Sequence, residues 1–312
     1  MGTLTTSFDP ASPEAAAMSQ LFIITLMICA VIFAAVVGLI AYSLMRFRWR
    51  EGASEAEPSQ IAGNRKVEIV WTLIPFLIVV LLFSLTARTM SSSDPPPAPK
   101  PDLIVVGHQW WWEADYPQSG VIAANEIHIP VGRPLCLELR SADVLHEFWV
   151  VQLARKMTTV PGHPNYIWLR ADHPGTYLGV CSEYCGTQHA WMRFLVIAEE
   201  ASTFEQWQQA QLKPAAVPAE ASAAHGLALI KQMTCANCHA IQGTGVDAHV
   251  GPDLTHFAGR RELGAGVAEN TAVNVRRWLA DPHALKPGVN MPNFKFSDAE
   301  LTQLVAYLET LK

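Results

Sequence analysis

The sequence predicts a multi-domain chain in which a two-helix transmembrane hairpin is followed by an all-β domain and then by a small all-α domain. Two long apolar runs occupy residues 21–45 and 67–87. Short alternating runs typical of strands fill residues 103–197, and a Cys-x-x-Cys-His motif at residues 235–239 is followed by an amphipathic helical segment. The predicted divisions are 1–100 (N-terminal segment and hairpin), 101–200 (β domain), 201–220 (linker) and 221–312 (C-terminal domain).

Composition narrows the class of protein. The 312 residues leave room for two or three domains, and 50% of them are hydrophobic, which is high for a soluble protein and points to membrane segments. The formal net charge is -6 with no basic patch, so the sequence predicts no nucleic-acid partner. Four of the six cysteines fall in two compact motifs, a pattern typical of metal or cofactor attachment rather than of a disulfide scaffold.

The two apolar runs predict membrane-spanning helices in a lipid bilayer. A run of about 25 residues at 1.5 Å per residue exceeds a hydrocarbon core of ~30 Å. The second run contains Pro75, which a membrane helix tolerates as a kink. The alternative is a pair of buried helices in a soluble core.

Basic residues predict the orientation of the hairpin. The connection between the two runs is rich in them: Arg46, Arg48, Arg50, Arg65 and Lys66. Residues 1–20 contain no Lys or Arg, so we predict no secretory signal there. The positive-inside rule then places the connection in the cytoplasm and both termini outside.

Residues 91–101 are rich in Ser and Pro and predict a linker leaving the membrane. The β-like runs that follow are 103–106, 126–129, 135–139, 148–151, 166–169, 175–180 and 193–197. Their alternation and Pro/Gly punctuation predict a β-sandwich or barrel. Trp110, Trp111 and Trp112 are consecutive, and in a strand they would place rings on both faces. A short helix is predicted at 203–212, within the linker.

A dense group of metal-binding side chains lies near the end of the β region. Cys181, Cys185, His189 and Met192 follow the pattern C-x3-C-x3-H-x2-M. Soft sulfur ligands with imidazole suit copper, and two cysteines four apart on a tight loop can bridge two metal ions. His146, at the end of a strand-like run, is the candidate for the second imidazole. A disulfide and a structural zinc site are the alternatives, and the full set favours a dinuclear copper electron-transfer centre.

The C-terminal region carries a second redox motif. Cys235, Cys238 and His239 form the C-x-x-C-H pattern of c-type haem attachment, in which the thiols bind the haem and the histidine ligates iron. A redox disulfide or half of a zinc site is the alternative. Met233 is too close to the motif to reach the opposite haem face, so Met291 is the predicted sixth ligand. The rival ligands are His249, His256 and His283.

From the N-terminal hairpin to about residue 198, these motifs resemble the cytochrome c oxidase subunit II family, and residues 221–312 resemble a class I cytochrome c. The combination is similar to the caa3 type of haem-copper oxidase. The resemblance implies a cupredoxin-like Greek-key β domain whose copper-A loop joins its last two strands. It implies these roles: Cys181 and Cys185 bridging, His146 and His189 terminal, Met192 axial, and the backbone carbonyl of Glu183 as a further ligand.

The resemblance also implies roles at contacts with other subunits. The Glu183 side chain would contribute to a magnesium or manganese site at the boundary with subunit I, and His189 would be the electron exit. The tryptophan cluster would lie near the copper and the surface where cytochrome c docks. Glu68 is, from its position alone, an interfacial carboxylate paired with Lys66 or Arg65; the resemblance implies the entrance of a proton channel. The family commonly has Ser where this chain has Glu147, and this added charge would either favour the oxidised form of the copper or pair with a nearby cation such as Arg193.

The resemblance therefore implies an electron-transfer subunit of a bacterial respiratory terminal oxidase, a multi-pass protein of the plasma membrane with both redox domains outside. Electrons would come from a cytochrome c or another respiratory donor and pass through haem c and copper A. They would reach subunit I, where O2 is reduced to water with proton pumping, so the oxygen site is not in this chain. One alternative is a copper-A subunit of a related nitric oxide reductase. The other is a non-redox structural subunit whose Cys pairs form disulfides or bind zinc.

Overall fold

A computed structural model describes residues 6–49, 60, 63–93 and 100–312. Arg50 and most of the predicted linker at 91–101, namely 94–99, lie outside the described residues. The described chain contains two apolar N-terminal helices, a β domain and a C-terminal helical domain, which confirms the predicted fold class. It separates into two compact units: Ala16–Ser93, and the N-terminal segment together with the chain from Asp94 onward.

The hairpin consists of α1 (Pro13–Arg46) and α2 (Arg65–Ser93), both long and apolar enough to cross a membrane. The first helix begins at Pro13 rather than at residue 21. Ser12 precedes it and its hydroxyl accepts a hydrogen bond from the Ala15 amide at 3.0 Å, the geometry of an N-cap with Pro in the first helical position. The apolar run alone misses this turn because capping, and not hydrophobicity, sets where it starts.

The β domain contains ten strands. They are β1 (Leu103–His108), β2 (Trp111–Tyr116), β3 (Val121–Ala124), β4 (Glu126–Pro130), β5 (Leu135–Ser141), β6 (His146–Val150), β7 (Met157–Thr159), β8 (Asn165–Leu169), β9 (Gly175–Cys181) and β10 (Arg193–Glu199). They form two five-stranded sheets, ordered β3-β2-β1-β5-β8 and β4-β10-β9-β6-β7. The pairs β1–β5 and β4–β10 are parallel, and the other neighbours are antiparallel.

The tryptophan segment is divided between a turn and a strand. Trp110 lies in the turn between β1 and β2, while Trp111 and Trp112 begin β2. Trp112 is fully buried among aromatic rings, with Phe148 and Phe194 at ring-centroid distances of 5.8 and 5.3 Å. The three tryptophans therefore do not share one strand. Strands β2, β3 and β7 had no predicted counterpart.

The helix α3 (Ala201–Gln211) covers one side of the β domain and lies within the predicted linker. Its Phe204 is buried against the β core, and the Trp207 ring stacks on His128 with centroids 4.1 Å apart. The predicted helix at 203–212 is confirmed, with a start two residues earlier because Glu200 accepts the first helical amides, those of Thr203 and Phe204.

The C-terminal domain is built on helices joined by short hairpins and turns. Its helices are α4 (Ala221–Gln232), α5 (Ala272–Ala280), α6 (Pro282–Leu285) and α7 (Asp298–Leu308), and its two-residue strands are β11 (Ala240–Ile241), β12 (Val246–Asp247), β13 (Glu262–Leu263) and β14 (Ala268–Glu269). The helices α4 and α7 pack closely at Gly226, where a Cβ atom would lie 2.1 Å from the Gln303 carbonyl oxygen. Tyr307 is fully buried at this crossing, so the terminal helices form one core.

Candidate functional site

The cysteine-rich segment forms a closed loop between β9 and β10. We call residues 182–192 the ligand loop. Cys181 is the last residue of β9, and its amide donates to the Met192 carbonyl at 3.1 Å, which closes the loop at its base. Residues His189–Trp191 form a single helical turn that brings His189 back toward the strand end. The antiparallel pairing of β9 with β10 thus brings together ligands that are up to eleven residues apart in sequence.

His146 reaches the same place from a neighbouring strand. It is the first residue of β6, and Phe148 in that strand pairs with Cys181. Because side chains two apart in a strand share a face, His146 lies on the Phe148 face, at the end of the strand next to the loop. Its side chain is fully buried.

Five side chains converge at this point. The Cys181 and Cys185 sulfurs are 3.7 Å apart. Nδ1 of His146 lies 4.0 Å from the Cys181 sulfur, and Nδ1 of His189 lies 3.7 Å from that of Cys185. The Met192 thioether is 3.7 Å from the Cys185 sulfur and is fully buried. One imidazole therefore stands beside each thiol.

This donor set fits a pair of copper ions. A disulfide requires a sulfur–sulfur bond of about 2.05 Å, and both cysteines are free at 3.7 Å. Each thiol has its own imidazole, so each of two metal ions would have three donor atoms: both sulfurs and one imidazole nitrogen. Thiolate and thioether donors select copper over harder metals.

The two thiols differ in acidity. The Cys185 thiol lowers the pKa of Cys181, which ionises first. The ionised Cys181, together with burial, raises the pKa of Cys185. A second thiolate at this spacing needs a compensating positive charge, which a coordinated metal ion supplies.

Asp143 orients the first imidazole. Its Oδ1 lies 2.7 Å from Nε2 of His146, so Nδ1 faces the sulfur. Carboxylate partners of this kind fix the ring and tautomer of ligating histidines. The Asp143 carboxylate is held by the amides of Gln109 (2.7 Å) and Val144 (2.6 Å). Sequence analysis missed it, although an aspartate three residues before a candidate ligand is a usable signal.

Two further contacts hold the loop backbone. The Gln109 side-chain amide and the Trp110 indole both donate to the Cys185 carbonyl, at 2.8 and 3.0 Å. Both residues belong to the turn between β1 and β2, which we call the tryptophan turn. No sequence pattern indicates Gln109, because its partner lies 76 residues away.

Glu147 does not pair with the expected cation. It accepts a hydrogen bond from the Ser182 hydroxyl at 2.6 Å and lies 3.8 Å from Nζ of Lys156. The Arg193 guanidinium instead lies over the Trp191 ring, 5.5 Å from its centroid. Glu147 therefore meets its partners on the face of β6 opposite His146, since neighbouring strand residues face opposite ways.

The two predicted glutamates, Glu183 and Glu68, are exposed. The Glu183 side chain is exposed, and its backbone carbonyl lies 3.2 Å from the Cys181 sulfur. Glu68 belongs to the separate hairpin unit and lies exposed in the first turn of α2.

The second motif follows α4 directly. A short turn, Thr234–Asn237, contains Cys235, and Cys238 follows at its end. The Cys235 carbonyl accepts the amides of Cys238 and His239. Nδ1 of His239 lies 2.7 Å from the Pro252 carbonyl, which leaves Nε2 free for a metal. Burial lowers the pKa of His239 and keeps the ring neutral, as a ligand must be.

The remaining predicted ligand, Met291, lies in the same domain. Cys235 and Met291 are both half-buried against the C-terminal core cluster. The Met291 sulfur accepts a hydrogen bond from the Trp278 indole at 3.2 Å. Two thiols, a neutral imidazole and a thioether in one small helical domain fit covalent haem c with Met on its second face.

Comparisons with known families divide the chain in the same order. The model "Cytochrome C oxidase subunit II, transmembrane domain" matches residues 4–86, and "Cytochrome C oxidase subunit II, periplasmic domain" matches residues 120–199. The model "Cytochrome c" matches residues 223–312.

Named relatives match over most of the chain. "Cytochrome c oxidase subunit 2" of Alkalihalophilus pseudofirmus is 37% identical over 98% of this chain and 91% of its own. The protein of the same name from Bacillus subtilis is 31% identical over 87% of this chain and 82% of its own. Among solved structures, the periplasmic domain of subunit II of cytochrome oxidase from Bradyrhizobium japonicum is 28% identical, with a TM-score of 0.35, covering 36% of this chain and 95% of that one.

Proposed function

The chain belongs to the cytochrome c oxidase subunit II family and carries a cytochrome c domain at its C-terminus, and from this premise we propose how it moves electrons. It is a membrane-anchored electron-transfer subunit of a haem-copper terminal oxidase, an oxidoreductase that it forms with other oxidase subunits. In our proposal, electrons enter at haem c from a cytochrome c-type or other respiratory donor. They continue through dinuclear copper A to subunit I, where O2 is reduced to water with proton pumping.

The observation that carries this proposal is the convergence at the ligand loop. Cys181 and Cys185 would hold the copper pair between them, His146 and His189 would each bind one of its ions, and Met192 and the Glu183 carbonyl would complete the donor set. Their donor atoms lie within 4.0 Å of a sulfur of the pair. Shared thiolates spread one unpaired electron over both metals when copper is bound.

The protein's own contribution is to hold these ligands still. Asp143 fixes the His146 ring, and Gln109 and Trp110 fix the loop at Cys185. A site that is held by surrounding structure in both redox states changes little on electron transfer, which suits a carrier. In the C-terminal domain, Cys235 and Cys238 would attach haem c, and His239 and Met291 would bind its iron.

Two roles at the subunit boundary complete the proposal. The Glu183 carboxylate, exposed on the ligand loop, contributes to a magnesium or manganese site shared with subunit I. Glu68, exposed at the start of α2, lies at the entrance of a proton channel of subunit I. Both redox domains and both termini are outside the plasma membrane, which agrees with the basic connection between the helices.

The rival functions are less well supported. The named relatives are oxidase subunits, which favours oxygen over nitric oxide as the terminal acceptor. A structural subunit with disulfide or zinc sites would not need a thioether against the thiol pair or a separate C-x-x-C-H motif in the same chain.

The test uses the full chain, expressed with haem maturation and copper and purified in detergent. We expect one haem and two copper ions per chain, a low-spin c-type optical spectrum and an EPR signal shared equally by two copper nuclei. Haem without the shared copper signal would overturn the copper proposal and return Cys181 and Cys185 to zinc or a disulfide. Copper without haem would overturn the haem proposal.

A further inference from the structure

A lysine of the C-terminal domain is buried against the ligand loop. Lys286 is 2% exposed, and its ammonium group donates three hydrogen bonds to backbone carbonyl oxygens. The acceptors are Trp110 at 3.0 Å, Trp191 at 3.0 Å and Gly264 at 2.8 Å. An ammonium group carries three donors and no acceptor, so this arrangement uses all of its protons.

The three acceptors belong to three separate segments. Trp110 lies in the tryptophan turn and Trp191 in the ligand loop, next to Met192, so both belong to the β domain. Gly264 lies in the β13–β14 hairpin of the C-terminal domain. Burying a lysine without a carboxylate partner is unfavourable, and such lysines are rare. This one joins the two domains directly beside the ligand loop.

The residues after Lys286 continue the contact. We call residues 286–291, which end at Met291, the methionine loop. The Pro287 carbonyl accepts from the Gln188 side chain, and Gly288 is so close to Thr187 that a Cβ atom would lie 2.9 Å from its methyl carbon. The Asn290 side chain donates to the Gln109 carbonyl at 2.9 Å. The methionine loop thus lies along the ligand loop and the tryptophan turn.

A short bonded route connects the two sites through this contact. It runs from Met291 to its neighbour Asn290 and across the 2.9 Å hydrogen bond to Gln109. It continues across the 2.8 Å hydrogen bond from the Gln109 side chain to the Cys185 carbonyl. Two hydrogen bonds therefore separate the predicted haem ligand from a predicted copper ligand.

A second group of contacts holds the domains together away from the methionine loop. The Glu126 carboxylate accepts the amides of Arg261 (2.5 Å) and Glu262 (3.3 Å). The buried Ala265 packs with Trp111 and Ala124. Removing Lys286 should therefore loosen the methionine loop without separating the domains.

Resting on the proposed function, we propose that Lys286 is the positioning residue that holds the methionine loop on the ligand loop, so that electrons cross between the domains on the Met291 side of the haem. In this step the haem iron is oxidised by one electron and the copper pair is reduced by one, and no bond forms or breaks. The tryptophan turn is then covered by the chain's own C-terminal domain, and an external donor must dock on that domain.

Lys286 holds the methionine loop in place because it satisfies the buried carbonyl groups of Trp110, Trp191 and Gly264. In Lys286→Met the stem remains and the donors are lost, so three carbonyl oxygens stay buried without partners unless the contact opens to water. Opening hydrates the carbonyls of Trp110 and Trp191 and moves Asn290 away from Gln109. The docked arrangement then becomes a minor population.

The experiment compares the full chain with both cofactors in detergent. The haem is reduced by a light-triggered donor, and electron transfer to copper is followed by the haem and copper absorbance bands. For Lys286→Met we expect slowing on the order of tenfold, given the loss of three hydrogen bonds to a charged group. The EPR signal and haem spectrum should stay unchanged, and amide hydrogen exchange should rise in the ligand loop and the methionine loop.

Two variants complete the design. Lys231→Met removes an exposed lysine of the same domain and should leave transfer and exchange unchanged. Asn290→Ala removes only the hydrogen bond to the Gln109 carbonyl, and it should slow electron transfer by a smaller factor than Lys286→Met. If Lys286→Met disturbs the haem spectrum, Asn290→Ala becomes the test. An unaltered rate of electron transfer in Asn290→Ala would then refute transfer on the Met291 side of the haem.

Unchanged transfer and unchanged exchange in Lys286→Met would overturn the positioning role. Failure of the proposed function looks different, because the parent chain would then lack the shared copper signal or the haem. The exchange measurement needs neither cofactor to be active, so it tests the docking contact on its own.

Discussion

The Cys181 and Cys185 sulfurs lie 3.7 Å apart on one loop, close enough to share two metal ions and too far apart to be bonded. A histidine nitrogen flanks each sulfur, at 4.0 Å on the His146 side and 3.7 Å on the His189 side. The two imidazoles are thus placed nearly symmetrically about the sulfur pair.

Cys185→Ser should abolish the paired copper signal. A serine oxygen is a harder donor than a thiolate and does not bridge two copper ions in its place. Copper content per haem and EPR check the result. Cys136→Ser, a buried cysteine of β5 outside the site, should keep two copper ions per haem. A signal still shared by two nuclei in Cys185→Ser would contradict the bridging role.

Met192→Leu should leave copper bound and raise its reduction potential. Leucine has a similar volume, so the buried site stays packed, while the oxidised metal loses a sulfur donor that stabilises its higher charge. Redox titration of the copper absorbance measures the shift. A potential equal to that of the parent chain would remove Met192 from the ligand set.

Asp143→Asn should weaken copper binding by about 10- to 100-fold, the usual effect of removing the carboxylate partner of a ligating histidine. The amide keeps the shape of the side chain, but it removes the charge beside the His146 ring and replaces one of the two accepting oxygens of Asp143 with an NH2 donor. Competition with a copper chelator gives the affinity. The exposed Asp247→Asn serves as the charge control, and equal affinities for the two variants would count against an orienting role.

Met291→Ala should open the haem to external ligands. The alanine side chain is too short to reach iron, so the reduced haem should bind carbon monoxide, which the parent chain should not. Optical spectra under carbon monoxide report this. Met233→Ala, next to the attachment motif, should remain closed. A closed haem in Met291→Ala would point to another axial residue, with His249, His256 and His283 as the candidates.

Glu68→Gln should slow proton uptake by the assembled oxidase several-fold while leaving the electron transfer of the isolated subunit intact. An amide cannot pass a proton on as a carboxylate does, and an ionisable group at a membrane edge is a common start of a proton path. Proton uptake by enzyme in vesicles is the measurement, with the exposed Glu205→Gln as control. Proton uptake and turnover equal to those of the parent enzyme would instead support an interfacial carboxylate without a role in proton transfer.

Local patterns predicted much of this architecture. The apolar runs, the alternating strands and the two cysteine motifs each depend on residues close together in sequence, and the fold class followed from them. The helix bounds were less accurate, because the start of α1 depends on Ser12 and Pro13 rather than on hydrophobicity. The ligand roles themselves stay predictions.

Long-range contacts were not predictable in the same way. Gln109 and Lys286 look like ordinary polar residues of loops. Their partners in the ligand loop, Cys185 and Trp191, lie 76 and 95 residues away in sequence. Strand β2 was obscured because Trp111 and Trp112 are both buried, which breaks the alternation expected of a strand. In each case the decisive interaction comes from the packing of distant segments.

The connection between α3 and α4 is short, running from Leu212 to Glu220. Such a linker makes the encounter between the two domains intramolecular. For short flexible linkers, the effective concentration of one domain at the other is in the millimolar range. In the proposed electron path, the haem domain would therefore stay close to the copper site, whatever the supply of free electron carriers around the membrane. If electrons follow the proposed path, dilution or salt would slow the reduction of the haem by an external donor, and electron transfer between the two domains would change little.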